Sequence, residues 1–498
     1  MKDNYRQKKI REEFFDTSNS VLVKAGPGTG KSTTMLSLAK DLNIFDKGIM
    51  LAFNNKIVKE LKDKLSSFVL TSSVEASTLH TFGLKMVAKK FTFKVDKNKF
   101  YILYKDLYNT SDIKLLSRKE ENVLKFSLKF LDQFSRIFLT DDFSEIKEAS
   151  IELGVWEITE DTLLQSYWIT FLEIREGFNN RSYKLVDFTD MLYFPVYFDL
   201  KCTEGYTHVF ADECQDFSVL QHKLFEIICN DDQHVKFIAV GDDRQAINAF
   251  AGSSAESFEM FKSYANVVEL PLDISYRCPP IITDELNKIY KGVIPFKSEG
   301  GSMSIKTERD LSSIPKKSLI LCRNTAPLVS TLFLLAAEGK KCYILGKDTF
   351  NSAKKVMREY LYLDIDTALT NSRKELLELS ANLKSETTRI RFFMLKEAID
   401  IVSSLSSNFV FPYGTKLTHY FAKATIFFVA SEDSIVLSTI HKSKGLENPN
   451  VYLINKRKLM PSKMARNEKS RIQEKNLFFV AVSRSSENFS YLNIKFEQ

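Results

Sequence analysis

The sequence predicts an α/β protein with two parallel sheets, each interrupted by a mainly helical insertion. Three observations carry this. Short apolar runs of strand length alternate with segments of helical period. One such run passes through a glycine-rich turn straight into a helical segment, VLVKAGPGTGKST at 21–33. Two long stretches, about 90–180 and 347–430, break the alternation with helical periods and few strand signals.

The strand-like runs fall in two groups. SVLVKA at 20–25, GIMLAF at 48–53, HVFA at 208–211 and KFIAVG at 236–241 form the first. VVEL at 267–270, SLILC at 318–322, CYILG at 342–346, SIVLST at 434–439 and VYLIN at 451–455 form the second. Helical spacing fills Thr33–Leu42 and Asn55–Leu65 between them. Strands alternating with helices indicate parallel sheets covered on both faces. The expected division is a first α/β domain over 1–90 and 181–262, interrupted by a helical insertion over 91–180. A second α/β domain covers 263–346 and 431–498, with a short helical insertion over 347–430 (KELLELSANLK and FFMLKEAIDIVSSL). Trp156 and Trp168 lie in the first insertion, where core packing is their expected role.

A chain of 498 residues exceeds what one core supports. Hydrophobic residues make up 44% and charged residues 27%, an ordinary globular composition without a run long enough to span a bilayer. The first residues, MKDNYRQKKIREEFF, lack the apolar core of a signal peptide, so an intracellular protein is expected. None of the six cysteines sits in a CxxC pair, which argues against a zinc ribbon or a cluster. The net charge of +7 permits an anionic partner without requiring one. The basic loop KRKLMPSKMARNEKSR at 456–471 reads as a surface segment, with phosphate contact as its alternative.

The 21–33 stretch carries the most specific chemistry. A strand, a glycine turn and a helix N-terminus direct successive backbone N–H groups at an anion, aided by the helix dipole. The cradle would run through Ala25, Gly26, Pro27, Gly28, Thr29, Gly30, Lys31, Ser32 and Thr33. Lys31 would reach the β- and γ-phosphates of a nucleotide, and the Ser32 hydroxyl would ligate Mg²⁺. The strict pattern has glycine where this chain has Ala25, the least demanding position of the loop. Such a loop needs a second strand that presents acids to the metal. HVFADECQD at 208–216 supplies one: Asp212 would hold Mg²⁺ through water, and Glu213 would take a proton from the attacking water. VGDDRQ at 240–245 ends the next strand, and Gln245 could sense the γ-phosphate.

Together these residues resemble the UvrD/Rep/PcrA group of superfamily 1 helicases, with hints of the F-box helicase branch. KAGPGTGKST looks like motif I of that family, FADECQD like motif II and VGDDRQAINAFAG at 240–252 like motif III. NYRQKK at 4–9 resembles its Q motif, in which Gln7 would read the adenine edge. LAFNNKIVKEL at 51–61 is similar to motif Ia, STLHTFG at 77–83 to motif Ib, and VDFTDML at 186–192 to the family's DFxDLL segment. ISYRCPPII at 274–282 resembles motif IV, followed by LCRNTAPL at 321–328. LSTIHKSKGLENPNVYLI at 437–454 is similar to motif V and QEKNLFFVAVSRS at 473–485 to motif VI. The resemblance covers both α/β domains and not the insertions.

The resemblance implies two RecA-like P-loop domains clamping ATP and Mg²⁺. It implies that Tyr276 stacks on the base, that Arg277 and Arg484 point at the γ-phosphate, and that Glu447 lies near the ribose and γ-phosphate. It also implies that Phe53, His80, Phe250 and His441 touch single-stranded DNA. Taken alone, Phe53 serves a core as well as it serves a strand, Tyr276 could pack inside, and both histidines could be structural. Arg277 and Arg484 could equally pair with surface acids. The expected activity is 3′-to-5′ ATP-dependent unwinding at junctions of single- and double-stranded DNA. The alternative is a translocase or ATPase subunit that remodels nucleoprotein or regulates a partner nuclease. Replication or repair proteins are the expected partners, no membrane is involved, and the compartment is the cytoplasm of a bacterial cell or phage-infected host. Departures exist: motif III has Asn248 where a large aromatic is usual, Thr33 replaces a frequent arginine, and the second insertion is short.

Overall fold

The computed structural model describes residues 3–52, 54–68, 72–152, 162–181, 183–229, 235–248, 256–346, 349–381, 383 and 386–496. The chain divides into two compact units, Met1–Asp273 and Ile274–Gln498.

In the first unit, α1 (Tyr5–Asp16) leads into β1 (Ser20–Ala25), α2 (Lys31–Lys40), β2 (Lys47–Ala52), α3 (Asn55–Ser66), β3 (Ser73–Thr78) and α4 (Leu79–Lys90). The inserted segment follows, with β4 (Thr92–Val95), α5 (Lys99–Thr110), α6 (Arg118–Phe138), α7 (Phe143–Glu152), α8 (Thr162–Asn179) and β5 (Tyr183–Val186). The chain then returns through α9 (Asp190–Tyr197), β6 (His208–Asp212), α10 (Val219–Cys229), β7 (Lys236–Gly241), α11 (Ser257–Lys262) and β8 (Val267–Leu272). Six strands form one parallel sheet in the order β3-β2-β6-β7-β1-β8.

Both faces of this sheet are covered, and the side-chain alternation of each strand decides which core it serves. Val21, Val23, Met50, Phe210 and Ile238 pack with Ile10, Phe14, Met35 and Leu38 of α1 and α2. Their neighbours Leu22, Ile49, Leu51, Val209 and Ala239 pack on the opposite face with Phe82, Phe194, Leu224 and Phe225 of α4, α9 and α10. The inserted helices hold a core of their own, built from Phe100, Leu107, Leu128, Leu131, Phe171 and Trp168. Trp168 is therefore a core residue, its indole N–H donating to the Asp141 carbonyl at 3.0 Å. Trp156 lies outside the described residues.

One boundary differs from expectation. Val267–Leu272 was grouped with the second domain, yet β8 pairs with β1 from Ser20↔Val267 to Ala25↔Leu272 and completes the first sheet. The units part between Asp273 and Ile274. An apolar run states that a strand exists; only register shows which sheet receives it.

The second unit contains β9 (Ile274–Ser275), α12 (Pro280–Ile289), β10 (Ile294–Pro295), β11 (Ser302–Thr307), β12 (Leu319–Cys322), α13 (Thr325–Ala337) and β13 (Cys342–Ile344). The helices α14 (Asn351–Val356), α15 (Ile365–Ser380), α16 (Glu386–Asn408) and α17 (Leu417–Lys423) come next. It closes with β14 (Ile435–Thr439), β15 (Asn448–Ile454), α18 (Lys456–Leu459), α19 (Glu468–Ser483) and β16 (Ser485–Asn493). Its parallel sheet runs β11-β16-β15-β12-β14-β13. Among the described residues the α14–α17 segment shares a core with the sheet's helices: Leu395, Ile399, Val402 and Leu405 of α16 pack with Leu328, Val329 and Leu332 of α13.

α4 and α9 approach so closely that a Cβ added at Gly83 would collide with the Met191 carbonyl oxygen. Gly83→Ala must push α9 outward, at a cost of about 1–3 kcal/mol. Urea denaturation should show this as a lower midpoint; an unchanged midpoint would mean that α9 retreats without cost.

Candidate functional site

The C-terminal ends of β1, β7 and β6 lie side by side in the first sheet, so three loops leave one edge together. After β1 the backbone turns through Gly28 (φ 68°) and Gly30 (φ 86°), left-handed conformations that glycine adopts without strain. Gly30 is the N-cap of α2, whose first residue is Lys31. The turn is fastened at both ends: Gly26 N–H donates to Leu272 O at 2.8 Å, and Thr29 Oγ1 donates to Gly26 O at 2.9 Å. Ala25 and Pro27 are buried, Ser32 is half-buried on the first turn of α2, and Thr33 is exposed.

Lys31 Nζ lies 3.6 Å from Glu213 Oε2. Burial pulls the ammonium toward neutrality, but Glu213, Asp242 and Asp212 together outweigh it and raise the Lys31 pKa. Glu213 itself sits at φ 51°, where the chain turns sharply out of β6. Its N–H donates to Asp212 Oδ1 at 2.9 Å. Gln245 is buried and donates from Nε2 to Asp242 Oδ2 at 2.7 Å, so the expected sensor is tied to the acids around Lys31.

Sequence reasoning missed Gln215 and Asp242. Gln215 Nε2 donates to Glu213 Oε2 at 2.6 Å, and its Oε1 accepts from Asp242 N at 2.9 Å. One carboxamide thus joins the acid loop after β6 to the one after β7. The available signal was polar residues placed directly behind buried strands. Ser32 and Asp212 offer hard oxygen donors, the ligand type Mg²⁺ takes, and this donor chemistry fits that ion. Gln7 lies beside the loop, its Oε1 accepting from Asn4 N at 3.1 Å and its Nε2 donating to Thr34 Oγ1 at 3.0 Å.

The second unit gathers its own candidates around the C-terminus of α19. Arg277 Nε donates to Glu447 Oε2 at 2.6 Å and Nη1 to the Ser483 carbonyl at 3.2 Å. Arg484 is 2% exposed and donates to the carbonyls of Val480 and Leu446, both at 3.1 Å. Tyr276 packs against Phe296 with ring centroids 4.6 Å apart; Phe296 is largely exposed and went unnoticed in the sequence. His441 borders a cavity of about 220 Å³ that Arg323, Thr349 and Glu397 also line. Burial, with Arg323 adding to it, lowers the His441 pKa to about 3, so the ring is neutral near pH 7.

Of the expected strand contacts in the first unit, Phe53 and Phe250 lie outside the described residues. Asn248 is buried. His80 stacks on Phe188 with centroids 3.9 Å apart and planes inclined by 20°. Burial lowers the His80 pKa to about 4, so this ring is also neutral near pH 7. Phe188 is 66% exposed. Its segment, VDFTDML, is recognisable in the sequence, but nothing in the string shows that this ring meets His80.

The UvrD/REP helicase N-terminal domain family matches residues 4–266. A Buchnera aphidicola protein named ATP-dependent DNA helicase Rep is 22% identical, across 57% of this chain and 44% of its own length. A Mycoplasma genitalium protein named probable DNA helicase II homolog is also 22% identical, across 93% of this chain and 81% of its own. A Leuconostoc citreum protein named ATP-dependent DNA helicase PcrA is 22% identical across 57% and 39%. The matched region thus spans less than half of the Rep- and PcrA-named relatives.

The Lys31 ammonium stands at the N-terminus of α2, directly behind the glycine turn, where the sequence expects a polyphosphate contact. Lys31→Met should weaken tripolyphosphate binding roughly 10–100-fold, the equivalent of one charge-assisted hydrogen bond. Titration calorimetry reads this directly; wild-type affinity in the variant would remove the loop from the site.

Proposed function

The chain belongs to the UvrD/REP helicase family, and on that premise we propose that it is an ATP-dependent DNA helicase. It moves 3′ to 5′ on single-stranded DNA and separates strands at junctions. The observation that carries this reading is the Lys31 ammonium set among Glu213, Asp212 and Asp242 at the N-terminus of α2.

ATP binds with its β- and γ-phosphates against the backbone N–H groups of Gly28–Ser32 and the Lys31 ammonium. Ser32 and Asp212 would hold Mg²⁺, which when bound draws charge from the β- and γ-oxygens. Glu213 accepts a proton from the attacking water while Gln215 fixes its carboxylate. Gln245 meets the γ-phosphate and transmits its presence to Asp242. Tyr276 stacks on the base, resting on Phe296, and Gln7 meets the adenine edge.

Arg277 and Arg484 complete the site when the second unit closes on the nucleotide. Both spend hydrogen bonds on backbone carbonyls of their own unit. The donor is ionised in either case; exchanging a neutral carbonyl for an anionic phosphate oxygen adds charge–charge attraction to the bond and permits two-pronged geometry. Glu447, which pairs with Arg277, turns to the ribose on the same movement. Closure is then favoured only while the γ-phosphate is present, and hydrolysis releases it.

The grip on the strand comes from aromatic faces. Phe53, Phe250 and the His80–Phe188 pair stack on bases, and His441 contacts the strand from the second unit. Each stacked base contributes about 1–3 kcal/mol, whatever its identity, so binding is nearly sequence-independent. With both histidines neutral, the salt dependence of binding comes from lysine and arginine contacts to phosphates. No helix among the described residues is long and apolar enough to cross a membrane. On the helicase reading the protein works where DNA is, in the cytoplasm of a bacterial cell or phage-infected host.

Strand displacement on tailed duplexes tests this directly. A 3′-tailed duplex should be unwound in the presence of ATP and a 5′-tailed one left intact. Unwinding from the 5′ tail alone, or from neither, would contradict the proposal.

A further inference from the structure

The His80–Phe188 pair raises a physical question. A ring exposed to 66% has no core to hold it, yet base stacking needs it in one orientation. Phe188 belongs to a two-residue link between Asp187 and Asp190, and both ends of that link are clamped. The two aspartates cap each other: Asp190 N donates to Asp187 Oδ1 at 2.8 Å, and Asp187 N donates to Asp190 Oδ2 at 3.0 Å. Arg136 then spans them with one nitrogen, Nη1 lying 2.8 Å from Asp187 Oδ1 and 2.9 Å from Asp190 Oδ1.

Arg136 is held in turn. Its Nη2 donates to Asp132 Oδ2 at 2.7 Å and its Nε to the Asp132 carbonyl at 3.0 Å. Lys99 Nζ reaches Asp190 Oδ2 at 2.8 Å, and Arg175 Nη1 lies 3.4 Å from Asp132 Oδ1. Arg136 is 3% exposed and Asp190 is fully buried. All three cations come from helices of the insertion, α5, α6 and α8. Asp187 and Asp190 come from the segment that returns to the α/β core.

Burying several charges costs several kcal/mol each, and an apolar contact would hold the insertion as firmly. What the ions add is direction, because a guanidinium donates to carboxylates in few geometries. Gly83 acts from the other side by letting α4, which carries His80, come up against α9 at Met191.

We infer that Arg136 is a positioning residue for the strand platform: by fixing Asp187 and Asp190 it orients Phe188 on His80, so the helical insertion sets how well the first unit stacks on a DNA base. This rests on the reading of His80–Phe188 as a base-stacking pair. A displacement of the insertion would reach the strand grip through Arg136 and, beside it, Lys99.

The test uses the full chain and an oligo-dT carrying a single 2-aminopurine, whose fluorescence is quenched on stacking. Phe188→Ala should weaken binding about 5–100-fold, the equivalent of one lost stack, and reduce quenching measurably at the probe position that meets this ring. Arg136→Lys keeps the charge but loses the fork, and should reproduce most of both effects with ATP affinity unchanged. Combined with Phe188→Ala it should add almost nothing, because both act through one ring. Asp187→Asn, which retains the cap acceptor, should behave like Arg136→Lys and serves if that variant fails to fold. Wild-type quenching in both Arg136→Lys and Asp187→Asn, or losses that multiply with Phe188→Ala, would overturn the positioning role. Unchanged binding in Phe188→Ala would instead overturn the platform reading, and the inference with it.

Discussion

A partly buried ammonium surrounded by carboxylates is the constraint on which the proposed chemistry of the first unit depends. Burial lowers the Lys31 pKa, and Glu213, Asp242 and Asp212 outweigh that effect and raise it. The same cation relieves repulsion among acids that would otherwise crowd one sheet edge. Only parallel strands in adjacent positions bring these loops together, and β6, β7 and β1 are such neighbours. The sheet order is therefore a requirement of the site, not a background to it. Gln215 completes the arrangement, since its two polar atoms join acids that lie far apart in sequence.

The two insertions solve different problems. The first has its own apolar core and meets the returning chain through buried ions, which specify orientation. The second shares one apolar core with α13, to which Glu397 adds an anchor by accepting from Thr325 N at 2.7 Å. A module joined by oriented ions can pass a small displacement to a defined side chain. A module fused into a core moves with the core.

What was legible in the sequence was whatever the local backbone dictates. The phosphate loop needs glycine at positive φ, and Gly28 and Gly30 announce it. Asp212, Glu213 and Gln245 follow buried apolar runs; acid pairs are common in turns, so it is their place downstream of the glycine loop that marks them. The two parallel sheets were readable from alternation. What stayed hidden depends on partners distant in the chain. Val267–Leu272 looks the same whether it joins one sheet or the other. Phe188 gains meaning only from His80, and Arg136 only from Asp187 and Asp190, each on a different element. The α16 helix has the same apolar stripe whether it closes a separate bundle or packs on α13.

The account stands or falls on coupling between the nucleotide and the strand. Steady-state ATP hydrolysis with and without oligo-dT, for the natural chain and for Glu213→Gln, measures it most directly. Many-fold stimulation of the natural chain is expected, together with a variant that binds ATP but turns it over about 10²–10⁴-fold more slowly. A rate indifferent to DNA, or a Glu213→Gln protein as fast as its parent, would contradict it.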